Sequence, residues 1–439
     1  MKIPKLFGWP LFLGLSACAS QPVDDASPGE RPATDTDEAG LWQMLERDEY
    51  KLQTSTGVVR DPALQAYLES VLCRVVRDHC ADIRLYVLPG GGMNAAMAPN
   101  GMMLVFTGLL VRLENEAQLA AVLGHEAAHY VKRHTLQRWR DLRARTATLQ
   151  TVATVVAAGL GVARVGAESA AAQGTYDRAV HRAAQVARIH DVGTALIYSL
   201  EISTMLGHLA YGREQEMESD ELGISWMASA GYDPDAASEI WDYAHLEAQA
   251  ADRWVPPLLL THPQPAVRED RARAQATALS AGTSRSLGRD AYLWQIAPFR
   301  NDWLHLARSG LEVDVLATLL ERQRQIGVPE GLVAFHEGSM YRGRGGEGDG
   351  ERALASFEVA TQQAGCPPEA FRELGLAQWD ADRHAEAKRA FDDYLRLRPP
   401  PRMPPWSRLT SLGRHEADRD GCALRFRRRG IGLRGLYPR

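Results

Sequence analysis

Ala120-Ala-Val-Leu-Gly-His125-Glu-Ala-Ala-His129-Tyr-Val-Lys-Arg-His134 decides how the rest of this 439-residue chain is read. Inside it lies His125-Glu126-x-x-His129. Positions four apart share one face of a helix, so both imidazoles can aim a ring nitrogen at one metal ion. Glu126 projects beside that face, where it can take a proton from a metal-activated water, as this pentapeptide does in zinc hydrolases. Leu119, Val122, Leu123 and Val131 add apolar surface, which predicts a helix held inside a domain. Two histidines one turn apart also occur as ordinary half-buried polar residues. A third ligand separates the two readings.

Gly212-Arg-Glu-Gln-Glu-Met-Glu-Ser-Asp-Glu-Leu-Gly223 supplies a candidate. Glu216 and Asp220 are again four apart. Glu216 can give the metal a carboxylate, and Asp220 can hold a ligating histidine by its second ring nitrogen, which fixes tautomer and orientation. Two histidines, a glutamate and a water make an open, catalytic site rather than a closed, structural one. Alone, the segment would read as a solvated acidic helix face. Beside the upstream pair, it reads as the third ligand.

Further patches share this order. Asn94-Ala-Ala-Met-Ala-Pro-Asn-Gly101 leads to Thr107-Gly-Leu-Leu110, then Asn115-Glu-x-x-Leu119 runs into the histidine motif. Arg213-x-x-Glu216-x-x-x-Asp220, Ala230-Gly-Tyr-Asp-Pro234 and Thr261-His-Pro-Gln-Pro265-x-x-Arg268 follow. Over roughly residues 60 to 275 the chain resembles the HtpX-like and CAAX-prenyl-protease-like zinc metallopeptidases with glutamate as third ligand. The arrangement is most similar to periplasmic members in which tetratricopeptide repeats follow the peptidase. The resemblance implies one Zn2+ on His125, His129 and Glu216, with Glu126 as general base. It also implies a histidine near the metal, His262, acting as an extra ligand that keeps the site latent or as a hydrogen-bond donor to the tetrahedral intermediate. Arg268 would hold its loop or stabilise developing charge. Misassembled outer-membrane proteins are the implied substrates.

Composition agrees with a globular protein of more than one domain, 45% hydrophobic and 24% charged. A net charge of -5, with no basic stripe carrying interleaved aromatics, excludes a nucleic-acid partner. Lys2 and Lys5 precede an apolar run that ends Leu15-Ser16-Ala17-Cys18, so residues 1–18 read as a lipoprotein signal with Cys18 as the lipidated residue. Ala19 after the cysteine points to an outer-membrane anchor in the bacterial periplasm. Residues 19–40, rich in Asp, Pro, Ser and Thr, read as a disordered tether. Cys73, Cys80, Cys366 and Cys422 then face an oxidising compartment and allow three pairings, of which Cys73 with Cys80 is nearest in sequence.

The expected fold is mainly α with a small β-sheet (α+β), a zincin-like peptidase domain over 41–280 and a helical repeat domain over 291–400. Residues 41–52 and 61–76 read as helices, and Arg84–Leu88 and Met102–Phe106 as strands. The run around Asn94, Ala95 and Ala96 reads as an edge strand that pairs with substrate backbone. Asp141 to about Leu209 is a long insert, read as core or lid helices. In the repeats, Leu374, Gly375, Trp379, Ala387, Phe391, Leu395 and Pro399 fit one unit, and Gly338, Tyr341, Ala353 and Phe357 an earlier one. The stretch from Trp303 to Gln325 is expected to pack as one more helix. The basic tail, 401–439, is left without a fold.

These readings together describe a lipid-anchored envelope metalloendopeptidase. Its repeats would bind unfolded or misassembled envelope proteins, or outer-membrane assembly machinery. A second reading is a zinc-bearing periplasmic chaperone or assembly factor that binds clients and is mostly latent as a protease.

Overall fold

A computed structural model describes residues 23–55, 57–144, 211–251, 255–262, 266–280 and 285–398. The stretch read as a lipoprotein signal with Cys18, most of the long insert, Cys422 and the basic tail lie outside the described residues.

The α+β expectation holds: among the described residues many helices surround one three-stranded sheet. Strands β1 (Arg84–Leu88), β2 (Ala95–Met97) and β3 (Met102–Phe106) lie in the order β1-β3-β2, with β1 parallel and β2 antiparallel to β3. The β2–β3 turn needs Gly101, whose φ is 86° and whose position would drive a Cβ to 2.1 Å from the Asp82 carbonyl oxygen. Alternate residues face opposite ways along a strand. Leu85, Val87, Ala95, Met97, Met103 and Val105 therefore join the main core, and Leu88, Ala96, Met102 and Leu104 join a smaller one.

Helix α1 (Asp37–Thr54) covers that second sheet face with Leu41, Leu45 and Leu52, and Thr36 caps it by accepting from the Ala39 amide at 3.2 Å. The tether expected over 19–40 is therefore too long. Residues 23–36 lie against the domain: Ala26 is buried, and its amide donates to the Val131 carbonyl at 2.7 Å. Acidic and proline-rich composition concealed a strap held by ion pairs, such as Asp25 to Lys132 at 2.9 Å. Helix α2 (Pro62–Val76), capped by Asp61, supports the main core, and a disulfide links Cys73 to Cys80.

After the short α3 (Thr107–Leu110) comes α4 (Glu116–Val131), whose 16 residues are all buried. It packs against α2, β2, α5 (Arg213–Ser229), α6 (Ala236–Ala250) and α9 (Arg289–Gly310). Asn115 caps it, so the helix starts one turn before the quoted stretch. Helices α7 (Pro257–Thr261) and α8 (Ala266–Ser280) close this layer.

The stretch expected as a single helix from Trp303 to Gln325 is two helices. Helix α9 ends at Gly310, and α10 (Val313–Gln325) starts anew after an extended Leu311. Nor does this pair begin a separate domain. Tyr292, Ile296, Trp303 and Leu304 of α9, with Leu316, Leu319 and Leu320 of α10, belong to the same core as Leu110, Leu113 and Leu119. The Tyr292 hydroxyl donates to the Leu110 carbonyl at 2.5 Å, and the Gln323 amide to that of Val111 at 3.0 Å.

Beyond it, α11 (Glu330–Arg344) with α12 (Asp349–Gln362), and α13 (Glu369–Asp380) with α14 (His384–Leu397), form two helical hairpins around a core of their own. Both pairs use one device. A Cβ on Gly338 would meet the Phe357 ring at 2.7 Å, and one on Gly375 the Phe391 ring at 2.6 Å. Each glycine admits the phenylalanine of its partner helix. Trp379 and Leu395, two of the residues fitted to one repeat unit, are 46% and 50% exposed.

Candidate metal centre

Helices α4 and α5 touch backbone to backbone. Gly124 faces Gly223, and a Cβ on Gly223 would lie 2.8 Å from the His125 nitrogen. Glu216, Asp220 and Gly223 recur at i, i+4 and i+7, so one stripe of α5 lies along His125 and His129. The approach is close enough for short carboxylates to span it.

Four donors meet there: His125, His129, Glu216 and His262, all buried, with donor atoms within 4.8 Å of one another. The Nε2 atoms of His125 and His129 are 3.1 Å apart. His262 Nδ1 lies 3.2 Å from His125 Nε2 and 3.0 Å from Glu216 Oε1. Glu216 stands 3.5 Å from His125 and 3.6 Å from His129. A tetrahedron with metal–ligand bonds of about 2.0–2.1 Å has edges of about 3.3–3.4 Å. The donors therefore fit a small divalent cation.

Hydrogen bonding supports the same fit. His125 Nδ1 lies 2.9 Å from Asp220 Oδ1, and a carboxylate only accepts, so Nδ1 carries the proton and Nε2 presents a lone pair. Asp220 is in turn held by Arg268, through Nε and through Nη2 at 2.9 Å, while Arg268 Nη1 reaches Glu216 Oε2 at 2.6 Å. Arg268 thus ties the Glu216 carboxylate to the one that orients His125, and its guanidinium lies 4.8 Å over the Trp241 ring.

Charge follows this wiring. Burial pushes Glu216 up, but His262, His125 and His129 outweigh it and hold its carboxyl well below the usual range. Burial likewise raises Asp220, and Arg268 and His125 reverse this. Burial depresses His129 well below an ordinary imidazole, whereas in His125 the Asp220 and Glu216 carboxylates overcome burial and raise it. His262 is pushed up to about 10, burial being outweighed by Glu216 and Glu126.

Glu126 is fully buried beside this cluster. His262 Nε2 stands 3.2 Å from its Oε1 but without hydrogen-bond alignment, so both carboxylate oxygens lack a hydrogen-bond partner. A buried carboxylate whose one charged neighbour is misaligned leaves both oxygens open to a donor from a ligand or water.

His262 caps the C-terminus of α7, whose Leu258 amide donates to the Met93 carbonyl at 3.0 Å. That bond sets His262 and the start of β2 in one neighbourhood. Strand β2 is one of the two outer strands of the sheet; Asn94, Ala95 and Ala96 are buried, and Asn94 Oδ1 has no hydrogen-bond partner among the described residues. Behind His125 and Glu126 an apolar cleft is lined by Val122, Ile224, Ile240, Trp241 and Leu258.

Two neighbours went unread in the sequence. Tyr211 stacks on His129 with ring centroids 3.6 Å apart, and its hydroxyl lies 2.8 Å from Thr135 Oγ1. No local pattern marks Tyr211. His134, the last residue of the stretch quoted at the outset, lies 3.0 Å from His129.

Two histidines of an HExxH helix facing a glutamate from a second helix define the gluzincin class of metallopeptidase site. Residues 59–276 match the model for peptidase family M48, and the domain they form belongs to that family. The chain is 26% identical over 260 residues to the beta-barrel assembly-enhancing protease of Escherichia coli K12, covering 58% of this chain and 47% of that one. A Vibrio cholerae protein provisionally given the same name is 28% identical over 229 residues, 51% of this chain and 42% of that one. The mitochondrial metalloendopeptidase OMA1 of Schizosaccharomyces pombe is 28% identical over 179 residues, 40% of this chain and 42% of its own. The chain thus spans less than half the length of these relatives.

Proposed function

We propose that this protein is a zinc-dependent metalloendopeptidase of the bacterial cell envelope. The observation that carries the reading is Glu126, a buried carboxylate without a hydrogen-bond partner beside four converging donors. His125, His129 and Glu216 would hold Zn2+, which when bound supplies Lewis acidity and makes a water nucleophilic near neutral pH. Glu126 takes the proton from the attacking water and returns it to the leaving amine. Asp220 and Arg268 keep His125 and Glu216 aimed. Strand β2 offers an edge for an extended substrate, with Asn94 Oδ1 as a free acceptor.

His262 lies among the donors, which favours a latent resting state with its imidazole at the position that a water would take. His262→Ala should then raise basal cleavage. A fall in cleavage at full zinc occupancy would instead make it a donor to the intermediate.

Cellular context rests on the lipobox-like Leu15 to Cys18 and on the names of the relatives. Lipidation at Cys18 would anchor the enzyme to the outer membrane, with misassembled outer-membrane proteins as substrates. The helical hairpins would bind clients or assembly machinery. Casein hydrolysis that stops with chelator and returns with zinc is the expected outcome. No cleavage by zinc-loaded protein, wild type and His262→Ala alike, would leave the chaperone reading.

A further inference from the structure

Asp220 fixes one ligating histidine at Nδ1, while no carboxylate among the described residues meets the Nδ1 of the other. His129 Nδ1 lies instead 3.0 Å from His134 Nδ1, and His134 Nε2 lies 3.2 Å from Glu218 Oε2. Glu218 is in turn paired with Lys132 at 3.0 Å. We propose that His134, backed by Glu218, is the positioning residue for His129, setting its tautomer so that Nε2 faces the metal.

The proton order follows from the end of the chain. Glu218 only accepts, so His134 carries its proton on Nε2 and leaves Nδ1 bare. That bare nitrogen accepts from His129 Nδ1–H, which leaves the His129 Nε2 lone pair for the donor cluster. The Ser219 hydroxyl, 3.3 Å from His134 Nδ1, is the weaker competitor for it. One helix, α5, thereby supplies the third donor, Glu216, and the anchors of both histidines: Asp220 directly, Glu218 through His134.

The backbone is shaped for this contact. In an unbroken helix, a residue five positions on points about 140° away and cannot meet the earlier side chain. Here α4 stops at Val131, and Arg133 takes a left-handed conformation, φ 53°, which turns His134 back. Such a conformation is unfavourable for a side-chain-bearing residue and needs support. Glu30 and Glu38 grip the Arg133 guanidinium, the latter at 3.0 Å, and Asp25 pairs with Lys132. The strap and the first turn of α1 thus hold the turn that presents His134.

This inference rests on the metal-centre reading and is tested apart from catalysis. Full-length protein is stripped of metal, then its zinc affinity is measured by competition with a chelating dye and its Co2+ complex by visible absorption. His134→Ala should weaken zinc binding by roughly ten- to hundredfold, as loss of such supporting bonds does, and alter the Co2+ spectrum. His134→Gln should restore most of the affinity, because its amide oxygen can accept from His129 while its nitrogen donates to Glu218. Glu218→Ala should cost several-fold alone and nothing further in the His134→Ala background. If His134→Ala does not fold, Glu218→Ala carries the test, since that side chain is half exposed. Unchanged affinity and spectrum in both alanine variants would overturn the proposal, as would His134→Gln binding no better than His134→Ala. Failure of the wild type to bind zinc would sink the metal centre as well; tight wild-type binding beside unaffected variants sinks this inference alone.

Discussion

Gly223→Ala tests whether the metal centre depends on helix spacing. The added methyl would start 2.8 Å from the His125 backbone nitrogen and 3.0 Å from the Gly124 carbonyl carbon. Neither is the far end of a flexible side chain, so α4 and α5 themselves must part. Relief from 2.8 Å to an ordinary contact of 3.4 Å needs a shift of about 0.6 Å. Glu216 and Asp220 ride on α5, whereas His125 and His129 ride on α4. The same displacement therefore enters every donor spacing between the two pairs, against a tolerance of about 0.2 Å for a metal site. The expected outcome is a loss of zinc affinity of about ten- to hundredfold and a destabilisation of about 1–3 kcal/mol from overpacking. Chelator competition reads the first and urea unfolding of the metal-free protein the second. Wild-type zinc affinity in a folded Gly223→Ala protein would refute the claim that backbone contact sets the site.

The remaining predictions address separate parts of the molecule. Glu126→Gln should keep its zinc, because the residue is not among the four donors, yet lose peptide cleavage by several powers of ten; metal analysis and casein turnover decide this. His336 is pushed down to about 3 by burial, with Arg308 and His305 adding to the effect, while in the unfolded chain it titrates near 6.5. Between those values the unfolded state binds the extra proton, so its contribution is full above about pH 6.5 and falls as pH drops. At pH 5 the loss is on the order of 2 kcal/mol. Urea midpoints at pH 7.5 and pH 5 should diverge more for the wild type than for His336→Gln, and parallel losses would contradict the assignment. A chain ending at Gly288 should fail to fold, whereas one ending at Val328 should stay soluble and bind zinc. The difference is the burial of Tyr292, Ile296, Trp303, Leu304, Leu316, Leu319 and Leu320, at about 1.5–3 kcal/mol each, which rivals the whole stability of a domain.

Local spacing made the helices of the site readable. His125, His129, Glu216 and Asp220 follow the helical period, and that period alone puts each pair on one face. The strands were equally legible, since turn residues such as Pro89, Gly90 and Gly101 bound short apolar runs. What escaped reading depends on partners far away in sequence. Nothing local tells that Asp25, Glu30 and Glu38 will find Lys132 and Arg133, so an acidic segment read as tether. Ser309-Gly310 was a break signal inside an otherwise helical pattern, and the apolar residues on either side obscured it. The boundary near residue 291 was misplaced because α9 completes a core begun almost two hundred residues earlier, at Tyr292 on Leu110. Tyr211 had no signal at all, being a single aromatic at the edge of a polar stretch.

The shared core has a mechanical consequence. The Leu287 carbonyl accepts from the Ala117 amide at 3.0 Å, in the first turn of α4, and α9 continues from there towards the hairpins. A load taken up by α11 to α14 has no slack linker in which to dissipate. It runs along α10 and α9 into the N-terminal end of the helix that carries His125 and His129. Tension on the hairpins would thus reach the N-terminal end of the histidine helix, as a lever delivers it to a fulcrum, and a segment held by them would stand at a fixed reach from that helix.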